Sequence, residues 1–202
     1  MQFHGYLKQV LGNRVAINLL RAMIKHPSKI FTIRGLARTA SVSVNETALT
    51  IHDFEKLGII KVQPIGRAHQ LSFNKKNYIL NKIIEPIFKA EEKTLEELLK
   101  TLKKNLDKNK VIISAALFGS VVKGEEKEDS DIDVLIISND FDAASEIVST
   151  AIVEVTEMFQ TELAPIIFSQ KEFVSKKNSS LGHSIIANHI MICGKDLESM
   201  TK

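Results

Sequence analysis

Two aspartates, Asp131 and Asp133, open an apolar run that reaches Ile137, and a Gly119-Ser120 pair closes the apolar run before it (111–118). Ten residues lie between Ser120 and Asp131. Successive side chains of a strand alternate faces, so Asp131 and Asp133 point the same way. Two carboxylates side by side in an apolar strand are costly unless a cation or a bonded partner sits between them. A divalent metal resolves the conflict, and oxygen-only ligands favour Mg²⁺. The glycine and serine ahead of them bring backbone N–H groups and a hydroxyl to a phosphate. The parts read together as a metal–triphosphate site, and they demand a strand, a tight turn and a second strand with the aspartates at its head.

The net charge of +3 conceals a division along the chain. Residues 1–77 hold 12 Lys and Arg against 3 Asp and Glu, a net of +9; residues 78–202 hold 15 against 21, a net of −6. Such a split predicts two domains with different partners, and the basic half suits a polyanion. No apolar run approaches the length that spans a bilayer, so no membrane partner is expected. The first residues, with Gln2, His4 and Lys8, lack the apolar core of a signal peptide. The single cysteine, Cys193, excludes an internal disulfide framework and fits a reducing cytoplasm. It sits in an apolar run (190–192), as a buried, inert thiol does.

In the basic half, apolar residues recur at helical spacing over 9–25, and the run ends at His26-Pro27. Thr32 is placed to cap a second helix over 33–40, and Ser41 or Ser43 a third reaching Leu57. Ala48, Ile51, Phe54 and Leu57 are the expected core face of that third helix, and Gly58 its stop. Residues 59–62 and 70–73 read as short strands around Pro64, Gly66 and Arg67. Three helices followed by a two-stranded hairpin resemble a winged helix-turn-helix. The resemblance rests on residues 31–73, with 43–57 as the recognition helix and Arg67 at the wing. It implies binding to DNA or RNA. Arg34 and Arg38 would meet phosphates, Asn45 and Thr50 would lie on the groove-facing turns, and Arg67 and His69 would enter a minor groove. A protein-interaction module is the alternative for the same elements.

From 78 to 107 the pattern stays helical, with Pro86 expected to divide it into two segments. Leu95, Leu98, Leu99, Leu102 and Leu106 form a stripe that packs on its own domain or forms the seam of a homodimer. Beyond it the elements alternate: strand-like at 111–118 and 131–137, helical at 141–159, strand-like at 163–168 with Pro165 pointing to an edge, and a short helix at 170–177. Residues 185–192 are ambiguous between helix and strand.

Gly119-Ser120-Val121-Val122-Lys123-Gly124 followed by Ser130-Asp131-Ile132-Asp133 resembles the signature of the DNA polymerase beta superfamily, and within it the minimal nucleotidyltransferases. The resemblance implies that Asp131 and Asp133 hold Mg²⁺ (or Mn²⁺) on an incoming nucleoside triphosphate such as ATP. It implies that Gly119, Ser120 and Ser130 line the phosphate-binding turn. Lys123 stands where arginine is more frequent and offers a point charge without a bidentate grip; a solvated loop lysine is the other reading. The family's third carboxylate belongs on a following strand. Glu162 is the acid at the start of 163–168, and Ala164 shares its face by alternation. His183 and His189 fit no metal-ligand spacing, and the acidic loop of Glu125, Glu126, Glu128 and Asp129 reads as solvated.

The expectation is an α+β protein: a winged helix-turn-helix over 1–77, a helical connector over 78–107, and a nucleotidyltransferase-like α/β domain with a small mixed sheet over 108–202. It would transfer a nucleoside monophosphate to an unknown hydroxyl acceptor. The alternative is a DNA-binding regulator whose second domain senses a nucleotide and is catalytically weak. A toxin-neutralising role, to which minimal nucleotidyltransferases are also similar, is a third reading.

Overall fold

The computed structural model describes residues 6–66, 68–107, 110–127 and 130–200. Arg67 and the acidic-loop residues Glu128 and Asp129 lie outside the described residues. The chain forms two compact units, Met1–Lys93 and Thr94–Lys202. The segment 78–107 therefore divides between them rather than standing apart as a connector.

The first unit runs α1 (Tyr6–Leu11), α2 (Arg14–Lys25), α3 (Ile33–Thr39), α4 (Val44–Lys56), β1 (Ile60–Ile65), β2 (Ala68–Phe73), a π-helical turn (Leu80–Ile84) and α5 (Glu85–Glu92). Polar side chains set its helix starts. Asn13 accepts the Val15 N–H at 2.9 Å, Thr32 the Gly35 N–H at 3.1 Å, and Ser43 the Glu46 N–H at 3.2 Å. Ser43, and not Ser41, thus caps α4. Gly58, at φ 69°, turns the chain out of that helix into β1. The strands pair antiparallel from Ile60↔Phe73 to Ile65↔Ala68. Leu71 also donates its N–H to the Phe31 carbonyl at 2.8 Å, tying the hairpin to the segment before α3. Leu19, Leu20, Phe31, Leu36, Phe54 and Leu71 are buried in one core.

Two expectations are corrected here. The buried stripe of α4 is Thr47, Thr50, Ile51 and Phe54, with Ala48 and Leu57 only half-buried. Thr47 can lie in the core because its hydroxyl donates to the Ser43 carbonyl at 2.8 Å, which satisfies the polar group there. Second, the long helical pattern divides not only beside Pro86, where the π-helical turn gives way to α5, but again at Lys93. Pro86 falls in the first turn of α5, where a missing N–H costs little, and the π-helical turn precedes it.

The second unit runs α6 (Thr94–Leu106), β3 (Ser114–Phe118), α7 (Ser120–Lys123), β4 (Ile132–Ile137), α8 (Phe141–Phe159), β5 (Leu163–Phe168), α9 (Gln170–Lys176), α10 (Ser180–Ala187), β6 (Ile190–Gly194) and α11 (Leu197–Met200). Its sheet has the order β5-β4-β3-β6 and is mixed: β4 and β5 are parallel, the other pairs antiparallel. Pro165 lies on the edge strand β5, as its missing donor requires. The ambiguous 185–192 segment is divided, with Ile185 inside α10, which ends at Ala187, and Ile192 inside β6.

Strand alternation sends side chains to two cores. Leu117, Ile132, Val134 and Ile136 pack with Leu98, Leu102 and Leu106 of α6 and with Val148 and Val155 of α8. Phe118, Leu135 and Ile137 pack with Phe173, Ile185, Leu197 and Met200. The leucine stripe of α6 is thus spent inside its own unit. Lys104 meets Glu154 of α8 at 2.7 Å along the same seam. Among the described residues no helix is long and apolar enough to cross a membrane.

Candidate active site

Every residue of β3 is buried, so the strand is fixed before the chain reaches Gly119. Gly119 takes φ 83° and ψ −151°, a conformation that a side chain resists. A Cβ there would also overlap the Asp133 carboxylate. The absence of a side chain is therefore what lets Asp133 lie against the turn. The chain then makes the single helical turn α7 and leaves it at Gly124, φ 66°, with the Glu125 N–H donating to the Ser120 carbonyl at 3.0 Å. The Ser130 hydroxyl, just ahead of β4, accepts the Lys127 N–H at 2.8 Å. Lys123 is exposed and Ser120 half-buried.

The register places the carboxylates. Asp133 pairs with Phe118 on β3 and with Ala164 on β5, so the three side chains share a face. Asp131 lies one pleat earlier on that face and is exposed, whereas Asp133 is half-buried. Burial, and then the charge of Asp131, push the Asp133 carboxyl above its ordinary value. Among the described residues neither carboxylate meets a basic side chain or accepts a hydrogen bond. Two adjacent acids, one partly desolvated and neither compensated, fit a divalent cation with oxygen ligands.

The Glu162 carbonyl accepts the Ile132 N–H at 2.9 Å, so Glu162 stands beside the start of β4, opposite Asp131, with its side chain exposed. Ala164 occupies the position directly across from Asp133. Among the described residues no three His, Cys, Asp or Glu are gathered as a metal-binding group. The Cys193 thiol is buried and pushed up to about 11, mainly by desolvation, so it is inert at neutral pH. His189 sets Nδ1 3.0 Å from the Ile185 carbonyl at the end of α10, a structural role.

In the first unit Arg34, Arg38, Asn45 and His69 are exposed. Thr50 is not: it is 7% exposed, on the core side of α4, which corrects its expected place on a binding face. Glu46 accepts a hydrogen bond from the Ser43 hydroxyl in the cap. His52 is also exposed on the outward side, with Asn45 and Leu49.

Residues 95–187, from α6 to the end of α10, match the model of the nucleotidyltransferase domain family. No curated protein matches the chain. Among solved structures, a toxin–antitoxin complex with AMP-PNP is similar at 17% identity, over 51% of this chain and 80% of that one, with a TM-score of 0.37. A mutant of the toxin–antitoxin pair MntA-HpeT is similar at 14% identity, over 52% and 79%, with a TM-score of 0.35. TrmBL2, an archaeal chromatin protein described with a novel mode of DNA binding, is similar at 18% identity, over 87% and 70%, with a TM-score of 0.29.

Proposed function

We propose that the second unit transfers a nucleoside monophosphate from a nucleoside triphosphate, ATP among the candidates, to a hydroxyl acceptor, and that the first unit is a winged helix-turn-helix that binds nucleic acid. One observation carries the transferase reading: two carboxylates with no basic partner among the described residues, Asp131 and Asp133, the second held against a glycine turn, within a segment that matches a nucleotidyltransferase domain.

Asp131 and Asp133 would hold Mg²⁺ or Mn²⁺, which when bound neutralises the triphosphate and favours loss of pyrophosphate. Gly119 keeps the space beside Asp133 open. The Ser120 hydroxyl and the turn's backbone N–H groups orient the phosphates. Lys123 adds a positive charge from the exposed end of α7. Ser130, just ahead of Asp131, would line the same phosphate site. Glu162, opposite Asp131, is the group to accept the proton of the attacking hydroxyl.

The test is transfer of label from nucleoside triphosphates in the presence of Mg²⁺ or Mn²⁺ and a cell lysate. The expected result is labelled protein, RNA or small molecule, lost in Asp131→Ala plus Asp133→Ala. Equal transfer by that variant would sink the assignment. Ala164 across from Asp133 favours a second reading, in which the unit senses a nucleotide without turning it over. Metal-dependent nucleotide binding with no transfer to any acceptor would select it.

A further inference from the structure

The outward face of α4 is unusual for a helix in so basic a unit. Its buried side takes Thr47, Thr50, Ile51 and Phe54. The opposite side therefore presents Asn45, Leu49, His52 and Lys56, all exposed, at i, i+4, i+7 and i+11. Leu49 is 70% exposed and Val44, at the same end of the helix, 44%. Glu46 is committed to the Ser43 cap. The first two turns thus offer one amide and an apolar surface on this face, His52 follows in the third, and no arginine or lysine precedes Lys56. The positive charge lies elsewhere: Arg34 and Arg38 are exposed on α3, and Lys29 and Lys61 are exposed on the flanking segments.

This separation has a chemical meaning on duplex DNA. Bidentate recognition of guanine needs arginine or lysine near the helix start, and α4 has none there. Asparagine pairs with adenine, and an apolar side chain packs on the thymine methyl. The net charge of +9 over residues 1–77 complements a phosphate backbone, which a protein partner would not require.

We propose that α4 recognises A·T-rich duplex DNA in the major groove. Leu49 contacts the thymine C5-methyl and Asn45 contacts adenine, while Arg34 and Arg38 hold phosphates. This rests on the nucleic-acid reading of the first unit and names its target.

The experiment measures binding of the full chain, by fluorescence anisotropy at low and moderate salt, to three 20-base-pair duplexes. They are alternating A/T, the same duplex with uracil in place of thymine, and alternating G/C. Uracil differs from thymine only by the methyl group. The expected result is tightest binding to the A/T duplex, with uracil weakening it by about threefold to fivefold for each methyl contacted. Leu49→Ala should bind the thymine and uracil duplexes equally. Its fold should be unchanged by thermal melting, because the side chain is exposed. Arg34→Ala plus Arg38→Ala should weaken all three duplexes and lower the salt slope by about two. Binding that does not distinguish thymine from uracil overturns the proposal and leaves duplex binding standing. No binding to any duplex at low salt overturns the nucleic-acid reading itself.

Discussion

Gly119 and Asp133 form a unit of two residues, because the backbone of one is shaped around the carboxylate of the other. Gly119→Ala should therefore cost about 1–3 kcal/mol of stability from the positive φ alone. It should also displace Asp133, so that Mg²⁺ no longer raises the melting temperature. A variant that keeps the metal response would show that the turn tolerates a side chain. Asp133 makes a prediction of opposite sign. Its carboxyl is raised in the folded state, so the folded protein holds that proton more tightly than the unfolded chain. The contribution is fully present below the ordinary carboxylate value and is lost as pH rises through the raised one. At neutral pH the charged form is a liability without metal. Asp133→Asn should melt higher than the parent at pH 7 in chelator. Mg²⁺ at ten times its dissociation constant should stabilise the parent by about 1.4 kcal/mol and leave the variant unmoved. Calorimetry with and without EDTA checks both statements.

Helix phase decides what each element presents. A period of three placed Ala48 and Leu57 in the core of α4, and Thr50 outside it. The observed stripe instead follows 47, 50, 51 and 54, with Thr47 tolerated in the core because its hydroxyl donates to the Ser43 carbonyl. Phe54→Ala should cost about 3–5 kcal/mol. Thr50→Val should leave duplex affinity unchanged, whereas Asn45→Ala should weaken it; anisotropy titrations of the two variants separate a core residue from a surface one. The leucine stripe of α6 was legible as apolar and amphipathic from sequence, but its partner was not. The structure gives it α8 and the sheet. Leu102→Ala should destabilise the protein by about 2–5 kcal/mol, measured by denaturant unfolding.

At the scale of the molecule, the two units have separate cores, one for Met1–Lys93 and two flanking the sheet in Thr94–Lys202. Each should fold when expressed alone, and the full chain should show two calorimetric transitions, of which only the second shifts with Mg²⁺ and nucleotide. A single transition would mean that the units are coupled. Local sequence was enough for the two helices and hairpin over 33–73, the strand–turn–strand around Gly119 and the shared face of Asp131 and Asp133. These follow from local rules: side-chain alternation, capping chemistry and the conformations open to glycine. The division of 78–107 at Lys93 and the burial of Thr50 were decided by tertiary structure. So were the placement of Glu162 opposite Asp131 and of Ala164 opposite Asp133. Each depends on which element packs or pairs with which, and strand register is a relation between residues thirty-one apart along the chain. Such long-range pairing is fixed by the fit of whole apolar faces, which no local window of sequence contains.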